Sequence, residues 1–433
     1  MKTYQKYKDS GIEWIGEIPE EWTTKRLKYV VSLNDETLAE KTDEETLIDY
    51  IEIGDLKNGI VNSTEYRFEN APSRARRIVR NGDVIVSTVR TYLKAIAQIT
   101  DDKDGYIAST GFAVLRPKNI SSKFLGYYSI SPFFIDNTIA NSVGVTYPAI
   151  NASNILEFPI QIPSTKEQTT IANYLDRKTA DLDQLIEEKK QLVKLYQEEK
   201  IALVNQAVTK GINLKANLKD SDIEWLGDIP EHWEFKPLKT TIAQKIDNRG
   251  KTPKYGTTGV PMLEVKQISE VSKYPIEKFE KFVDPEILGD YVREELAEGD
   301  ILIATVGATA GKCCIVPKKP YYFIAQNVIG FRFKKEYSST FIYFLLQSTF
   351  FKHSLYSINK SNTIDNLKVS VFVNSYIPVP PINEQLAIAD FLETLEVQTN
   401  AKIKKAKKYI ELLTEYRTSL ISEVVTGKIK VID

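Results

Sequence analysis

The side chains of this chain that could do chemistry are few and mostly basic. Arg74, Arg76, Arg77 and Arg80 crowd together, and Arg90 and Lys94 follow closely. A guanidinium presents a planar fork of donors that fits both phosphate oxygens and the edge of guanine. Farther along, Arg249, Lys251 and Lys254 lie in a loop rich in Gly, Pro and Thr. Lys312 sits in Gly307-Ala308-Thr309-Ala310-Gly311-Lys312-Cys313. That run makes a poor nucleotide phosphate loop. Its glycines are one residue too close, and Cys stands where a Mg²⁺-binding Ser or Thr belongs. It reads as a tight turn between strands, or as a loop whose small residues let backbone N–H groups and Lys312 approach a DNA phosphate. Its counterpart in the first half is Thr88-Val89-Arg90-Thr91-Tyr92-Leu93-Lys94. From Lys57 to Lys94 there are eight Lys/Arg against three Asp/Glu, and from Lys236 to Lys273 the count is again eight against three. Solvated surface charge explains either region alone. The recurrence favours two phosphate-contacting surfaces, although a net charge of −1 excludes a uniformly basic coat.

Motifs for catalysis are wanting. Only His232 and His353 are present, too few for imidazole-based catalysis or a His-rich metal site. Ser131-Pro132-Phe133-Phe134 approaches the Asp/Asn-Pro-Pro-Tyr/Phe loop of adenine methyltransferases but lacks its second proline. Glu264-Val265-Lys266 resembles the tail of a nuclease motif without the aspartate that would complete it. No catalytic residue, metal ligand or cofactor site is assigned. Cys313 and Cys314 are adjacent and read as small core residues in a reducing cytoplasm. The polar opening and the lack of a long apolar run predict neither a signal peptide nor a membrane span.

The elements that must position these cations come in two kinds. Runs rich in Val, Ile, Thr and Tyr, punctuated by Gly, Asn, Asp and Pro, predict strands at Leu47–Ile53, Asp83–Val89, Gly111–Leu115, Val260–Val265, Asp300–Val306 and Val328–Phe333. Aromatic-rich helices are expected at Phe124–Asn137 and Ser339–Tyr356. The stretches Lys166–Thr209 and Glu384–Thr426 differ in kind: neither holds a Pro or Gly. Their apolar residues fall at steps of 3 and 4, which is a coiled-coil seam. The first seam runs through Leu175, Leu182, Leu185, Leu192 and Leu203, weakened by Lys178, Lys189 and Glu199 at seam positions. The second runs through Leu392, Leu395, Ile410, Leu413 and Leu420. Pro163 and Pro380-Pro381 precede these helices, and Gly211 and Gly427 follow them. About 43 residues of helix would make a rod of roughly 65 Å.

The whole arrangement is written twice. DSGIEWIGEIPEEW (Asp9 to Trp22) returns as DSDIEWLGDIPEHW (Asp220 to Trp233), and IPSTKEQTTIANYLD (Ile162 to Asp176) as VPPINEQLAIADFLE (Val379 to Glu393). LVNQAVTKGI (Leu203 to Ile212) returns as LISEVVTGKI (Leu420 to Ile429), and the last two matches share an offset of 217 positions. Such a period is far above the 20–50 residues of a solenoid unit. It predicts a duplicated α/β (mixed α+β) domain in a pseudo-two-fold arrangement, the two copies separated by two long antiparallel helices. The expected divisions are residues 1–162, the helix 163–212, residues 213–379 and the helix 380–433. Trp14, Trp22, Trp225 and Trp233, with Ile18-Pro19 and Ile229-Pro230, are expected to pack as a structural clasp in each copy.

These phrases carry a resemblance. The IPEEW and IPEHW motifs, the two EQ-containing helix starts, LLTEYRTSLISEVVTGKI (Leu412 to Ile429) and the strand motif Gly82-Asp83-Val84-Ile85 with its copy Gly299-Asp300-Ile301-Leu302 resemble the specificity (S) subunits of type I restriction-modification systems. The likeness covers essentially the whole chain. It implies that each domain reads one half of an asymmetric, split double-stranded DNA site. It implies a coiled coil that sets the gap between half-sites. It also implies two methyltransferase (M) subunits docked on the helices, and restriction (R) subunits that translocate and cut. S-adenosylmethionine, ATP and Mg²⁺ would then belong to those partners and not to this chain, whose place would be the prokaryotic cytoplasm. On this reading Arg74, Arg76, Arg77, Arg90 and Lys94 serve one half-site, and Arg249, Lys251, Lys254 and Lys312 the other. The rival readings are a coiled-coil scaffold for proteins without DNA specificity, and a self-sufficient methyltransferase or nuclease.

Overall fold

The computed structural model describes residues 3–57, 59–223, 226–269, 272–359 and 367–431. They form two compact units, residues 1–190 with 407–433, and residues 191–406. Trp225 of the second opening motif lies outside the described residues.

In the first unit, an antiparallel sheet has the strand order Ile96–Gln98, Val84–Ser87, Phe112–Pro117, Val31–Leu33. A second sheet has the order Thr64–Arg67, Leu47–Ile51, Ile107–Ser109, Ala75–Ile78, with Leu47–Ile51 and Ile107–Ser109 parallel. Alternation along one strand builds two cores at once, because successive side chains leave opposite faces. Val84 and Val86 face a core with Phe124, Tyr128, Phe134, Ile171 and Leu175, whereas Ile85 faces Ile51, Ala108, Phe112 and Val114. The result is a helical layer on a sheet on a sheet.

The second unit repeats this plan. Its antiparallel sheet has the order Ile242–Ile246, Val328–Phe333, Ile301–Ala304, Cys313–Ile315. Its smaller sheet places Val260–Leu263 between Phe282–Val283 and the parallel strand Phe323–Ile324. Ile301 and Ile303 face the helices, and Leu302 and Ala304 face Leu263 and Ile324.

Two expected helices are each broken in two. Ser122–Ser129 gives way to Pro132–Ala140, because Ser131 caps the second helix and Pro132 occupies its first turn. Ser339–Gln347 gives way to Thr349–Asn359 at Ser348, whose hydroxyl accepts from the Phe351 N–H. The long helices are Thr165–Lys210 and Ile382–Val425. Each stops one or two residues before a glycine with positive φ, Gly211 at 76° and Gly427 at 74°.

The repeated motifs turn out to hold one another. Trp22 is fully buried, and its indole Nε1 donates to Glu167 at 3.1 Å; Trp233 does the same to Glu384 at 3.1 Å. The adjacent glutamines bridge two chain segments. Gln168 accepts from the Ser121 N–H and donates to the Pro163 carbonyl, and Gln385 accepts from the Ser338 N–H and donates to the Pro380 carbonyl. A side chain on Gly427 would meet the Pro19 ring and Trp22, and one on Gly211 would meet Trp233 and Glu384. Each tryptophan therefore sits between the start of one long helix and the end of the other. Trp14 departs from the expected clasp. It is 66% exposed and rests against Phe133 on the rim of a surface groove, because Ile12 and Ile15 take the core-facing positions of its turn.

Within each unit the helix segments run antiparallel. In the second, Lys200 pairs with Glu396 at 2.5 Å while Lys402 lies over the Tyr196 ring. In the first, Arg417 meets Asp183 at 2.9 Å. Leu175, Leu392 and Leu420 are buried, and Leu182, Leu185, Leu192, Leu203, Leu395, Ile410 and Leu413 are half-buried. The seam register differs from expectation at two of its three polar positions, Lys189 staying half-buried. Lys178 and Glu199 are exposed, and the neighbouring Thr179 and Lys200 turn inward instead. A real helix drifts relative to a strict 3.5-residue repeat, so a column traced over many turns slips by one residue.

Candidate nucleic-acid interface

Each unit carries an open cleft at the same place in its topology. In the first, Glu52, Ile53, Arg74, Val89, Arg90, Ser109 and Tyr147 are among the residues lining 580 Å³. In the second, Lys245, Asp247, Arg249, Arg293, Val306, Gln326 and Asn327 are among those lining 730 Å³. Val89 and Val306 follow the equivalent strands Val84–Ser87 and Ile301–Ala304, and Ser109 and Gln326 end or follow the equivalent strands Ile107–Ser109 and Phe323–Ile324. The frame is shared and the remaining lining is not.

The first cleft is built on a strained turn. Arg90 (φ 52°) and Lys94 (φ 53°) are left-handed residues flanking the single turn Thr91–Leu93. Non-glycine residues in this region cost of order 1–3 kcal/mol and cluster at functional sites. The Arg90 N–H donates to the Pro148 carbonyl at 2.8 Å, and its guanidinium lies 4.9 Å from the Tyr147 ring centroid. Arg90 makes no ion pair among the described residues, so its charge remains available to a ligand.

The other arginines of the cluster separate. Arg74 is exposed and lines the cleft beside Arg90. Arg76 and Arg77 are neighbours on the strand Ala75–Ile78 and so leave opposite faces. Arg76 lies over Phe68 at 5.2 Å, and Arg77 reaches Thr37; neither is in the cleft. Arg80 is a structural residue. It pairs with Glu36 at 2.6 Å, and Arg116 holds the same carboxylate at 2.5 Å and the buried Asp83 at 2.8 Å. The hydrogen bonds from Arg80, then those from Arg116, outweigh burial and hold the Glu36 carboxyl down at about 2. Arg332 and the buried Asp300 repeat the Arg116–Asp83 pair at 2.9 Å in the second unit.

In the second cleft Arg249 is fixed by two bonds to Asp247, at 2.7 and 2.8 Å. That fork lowers the Asp247 carboxyl to about 2. Arg293 donates to the Arg249 carbonyl at 3.1 Å, and Asn248 accepts from the Arg293 and Glu294 N–H groups. Gln326 is another left-handed residue, at φ 54°, with its amide 3.2 Å from Thr252. Lys251 and Lys254 are exposed on the loop before this cleft, and Lys251 donates to the Asp290 carbonyl. Lys312 belongs to the hairpin joining Ile301–Ala304 to Cys313–Ile315 and does not line the cleft. Its glycine run is thus a strand-to-strand turn, with no helix behind it to cradle a nucleotide phosphate.

Sequence reasoning missed Arg293, Lys245, Gln326 and Asn327 in the second unit, and Glu52 and Tyr147 in the first. Arg293 stands far from Arg249 in the chain and joins it through the Arg249 carbonyl and the Asn248 side chain, contacts between distant segments. The local left-handed backbone at Arg90, Lys94 and Gln326 has no sequence signal, because none is a glycine. Among the described residues, no group of three or more His, Cys, Asp or Glu could hold a metal ion, and no helix is long and apolar enough to cross a membrane.

A duplicated mixed α/β fold with a cation-bearing cleft repeated in frame, and different side chains lining each, has the two-part form of a protein suited to a polyanion with two unlike parts. The sequence places it further. The model of the type I restriction modification DNA specificity domain matches residues 19–195 and again 230–412. The chain belongs to this family of type I restriction-modification specificity subunits, which recognise DNA and are not themselves catalytic. It is 26% identical over 380 residues to the type I restriction enzyme MjaVIII specificity subunit of Methanocaldococcus jannaschii, covering 85% of each chain. The putative MjaX specificity subunit of the same organism is also 26% identical, over 96% of each. In fold, a chain solved in a study of complex assembly and conformational transition of the type I R-M system superposes with a TM-score of 0.77 at 21% identity, over 95% of this chain and 99% of that one. The HsdS subunit of Thermoanaerobacter tengcongensis gives 0.59 at 20% identity, over 95% of this chain and 98% of that one.

Proposed function

We propose that each unit reads one half of a split DNA site through its cleft. Arg74, Arg90 and Lys94 face the duplex in the first unit, and Arg249, Arg293 and Lys245 in the second. The observation that carries this reading is the common frame with unlike lining. Identical clefts would read a symmetric site, whereas Glu52 and Ser109 against Gln326 and Asn327 offer different base edges different partners. An amide such as Gln326 suits adenine N6 and N7, a carboxylate such as Glu52 accepts from the amino group of cytosine, and a free arginine suits guanine. The cations beside them meet phosphates and set register.

On the same reading the long helices form an antiparallel coiled coil that sets the gap between half-sites. Two methyltransferase subunits dock on it, and restriction subunits join the assembly. S-adenosylmethionine, ATP and Mg²⁺ act on those partners, in the cytoplasm of a prokaryote. The test is binding of the assembled complex to its methylated sequence and to sites altered in one half. Arg90→Ala should weaken discrimination at one half only, and Arg293→Ala at the other. Loss at both halves from either substitution would contradict one cleft per half-site.

A further inference from the structure

We propose that the hairpin tip around Val143 and Val145 is an apolar probe that reads thymine methyl groups in the major groove of the half-site served by the first unit. This deepens, and rests on, the reading of the Arg74–Arg90 cleft as a DNA-facing surface.

The stem of this hairpin is firmly held. Val143 and Ala149 exchange both backbone hydrogen bonds, at 2.8 and 3.0 Å. The Pro148 carbonyl accepts from the Arg90 N–H, the Ile150 N–H donates to the Thr88 carbonyl, and the Ser142 and Thr91 hydroxyls meet at 2.8 Å. Gly144 turns the chain at φ 111°, and a side chain there would press on the Tyr147 carbonyl at 3.2 Å. The tip therefore stands on a stem anchored to the Arg90 turn.

Nothing in the fold calls for this tip to be apolar. Val145 is 101% exposed and Val143 81%, and Tyr92, Leu93 and Tyr147, all at least half exposed, lie on the same turn and hairpin. A lone exposed valine is ordinary, but this grouping is not. Its surroundings decide the occupant. Arg90 lies over Tyr147 of the hairpin and shares the adjoining cleft with Arg74, so a partner must present negative charge beside apolar groups, as a DNA groove does. Valine is too short to prise base steps apart in the way that Phe, Leu, Ile or Met wedges do in the minor groove. It suits contact with the thymine C5-methyl, the one apolar group on the major-groove edge.

The experiment uses the full chain assembled with its methyltransferase partner and a duplex carrying the sequence that the complex methylates. Thymines of the first unit's half-site are replaced one at a time, on either strand, by deoxyuridine, which lacks only that methyl. The parent complex should lose about fourfold in affinity at one or two positions, the effect of one buried methyl-sized group. V145S should lose a similar factor on native DNA and become insensitive to deoxyuridine, with its melting temperature unchanged. An unaffected parent at every thymine, or an equal loss by V145S on all sequences, overturns the proposal. R90A run in parallel separates the two levels. If R90A weakens binding while V145S does not, the tip reading alone fails. If R90A binds every duplex as the parent does, the cleft reading fails with it.

Discussion

Arg80 and Arg90 sit close in the chain and are predicted to behave as opposites. Arg90 is exposed, unpaired by any carboxylate among the described residues, and stacked on Tyr147. An exposed cation–π contact is worth about 0.5–1 kcal/mol, so Arg90→Ala should cost no more than that in stability. On DNA the loss should be larger. If Arg90 reads a base, matched binding falls by about 1–3 kcal/mol and mismatched binding hardly changes. If it holds a phosphate, all sequences weaken together and the slope of log K against log salt falls by about 0.9. Arg80 instead donates to Glu36 at 3.1 and 2.6 Å, in a pair about two-fifths exposed. A charged hydrogen bond contributes about 1.5–3 kcal/mol when buried; discounted for exposure, Arg80→Ala should cost about 1 kcal/mol of stability. Its effect on DNA at saturating folded protein should be nil. The assay is urea unfolding of each variant beside fluorescence-anisotropy titrations at several salt concentrations. If Arg80→Ala weakens DNA binding in a stable protein, or Arg90→Ala unfolds the first unit without touching binding, the division between structural and reading arginines is wrong.

Further outcomes follow from the packing and the electrostatics. Glu167→Ala strips the acceptor from the buried Trp22 indole and the Tyr4 hydroxyl, and should destabilise the first unit by about 1–3 kcal/mol; Glu167→Gln, which keeps an oxygen, should recover much of this in urea titrations. Gly427→Ala combines a left-handed backbone with a Cβ 2.4 Å from Pro19, so it should loosen the end of the second helix more than Gly211→Ala, whose nearest contact is 3.1 Å, as read by amide exchange. Glu36 and Asp247 both ionise near 2, below ordinary carboxylates. The stability they lend is fully present above about pH 4.5 and is lost as pH falls towards 2, so acid unfolding of the first unit should begin at higher pH in Glu36→Gln. Removing one heptad from both long helices shortens each by about 10 Å, or roughly three base pairs; binding to a panel of sites with varied gaps should shift to shorter gaps or collapse.

The parts of this molecule legible in its sequence are those fixed by local chemistry. Gly211 and Gly427 end the long helices because a left-handed residue is needed there, and the IPEEW and EQ phrases recur because Trp22 and Glu167, like Trp233 and Glu384, satisfy one another. The clefts were legible only in outline. Clustering along the chain grouped Arg76, Arg77 and Arg80 with Arg74, yet strand alternation and the pull of Glu36 send them elsewhere. Arg293 and Tyr147 reach their clefts through long-range bonds to Asn248 and through the Arg90 turn, contacts that leave no local pattern. The helix break at Ser348 was hidden for a similar reason: a serine capping the next helix looks like any polar residue on a helical face.

Whether one cleft serves one half-site is tested most directly by mapping methylated bases genome-wide in cells whose complex carries either Arg90→Ala or Arg293→Ala. Each variant should blur the methylated motif in one half and leave the other sharp, and the two variants should blur opposite halves. Motifs that blur in both halves together, or in the same half for both variants, would contradict that pairing.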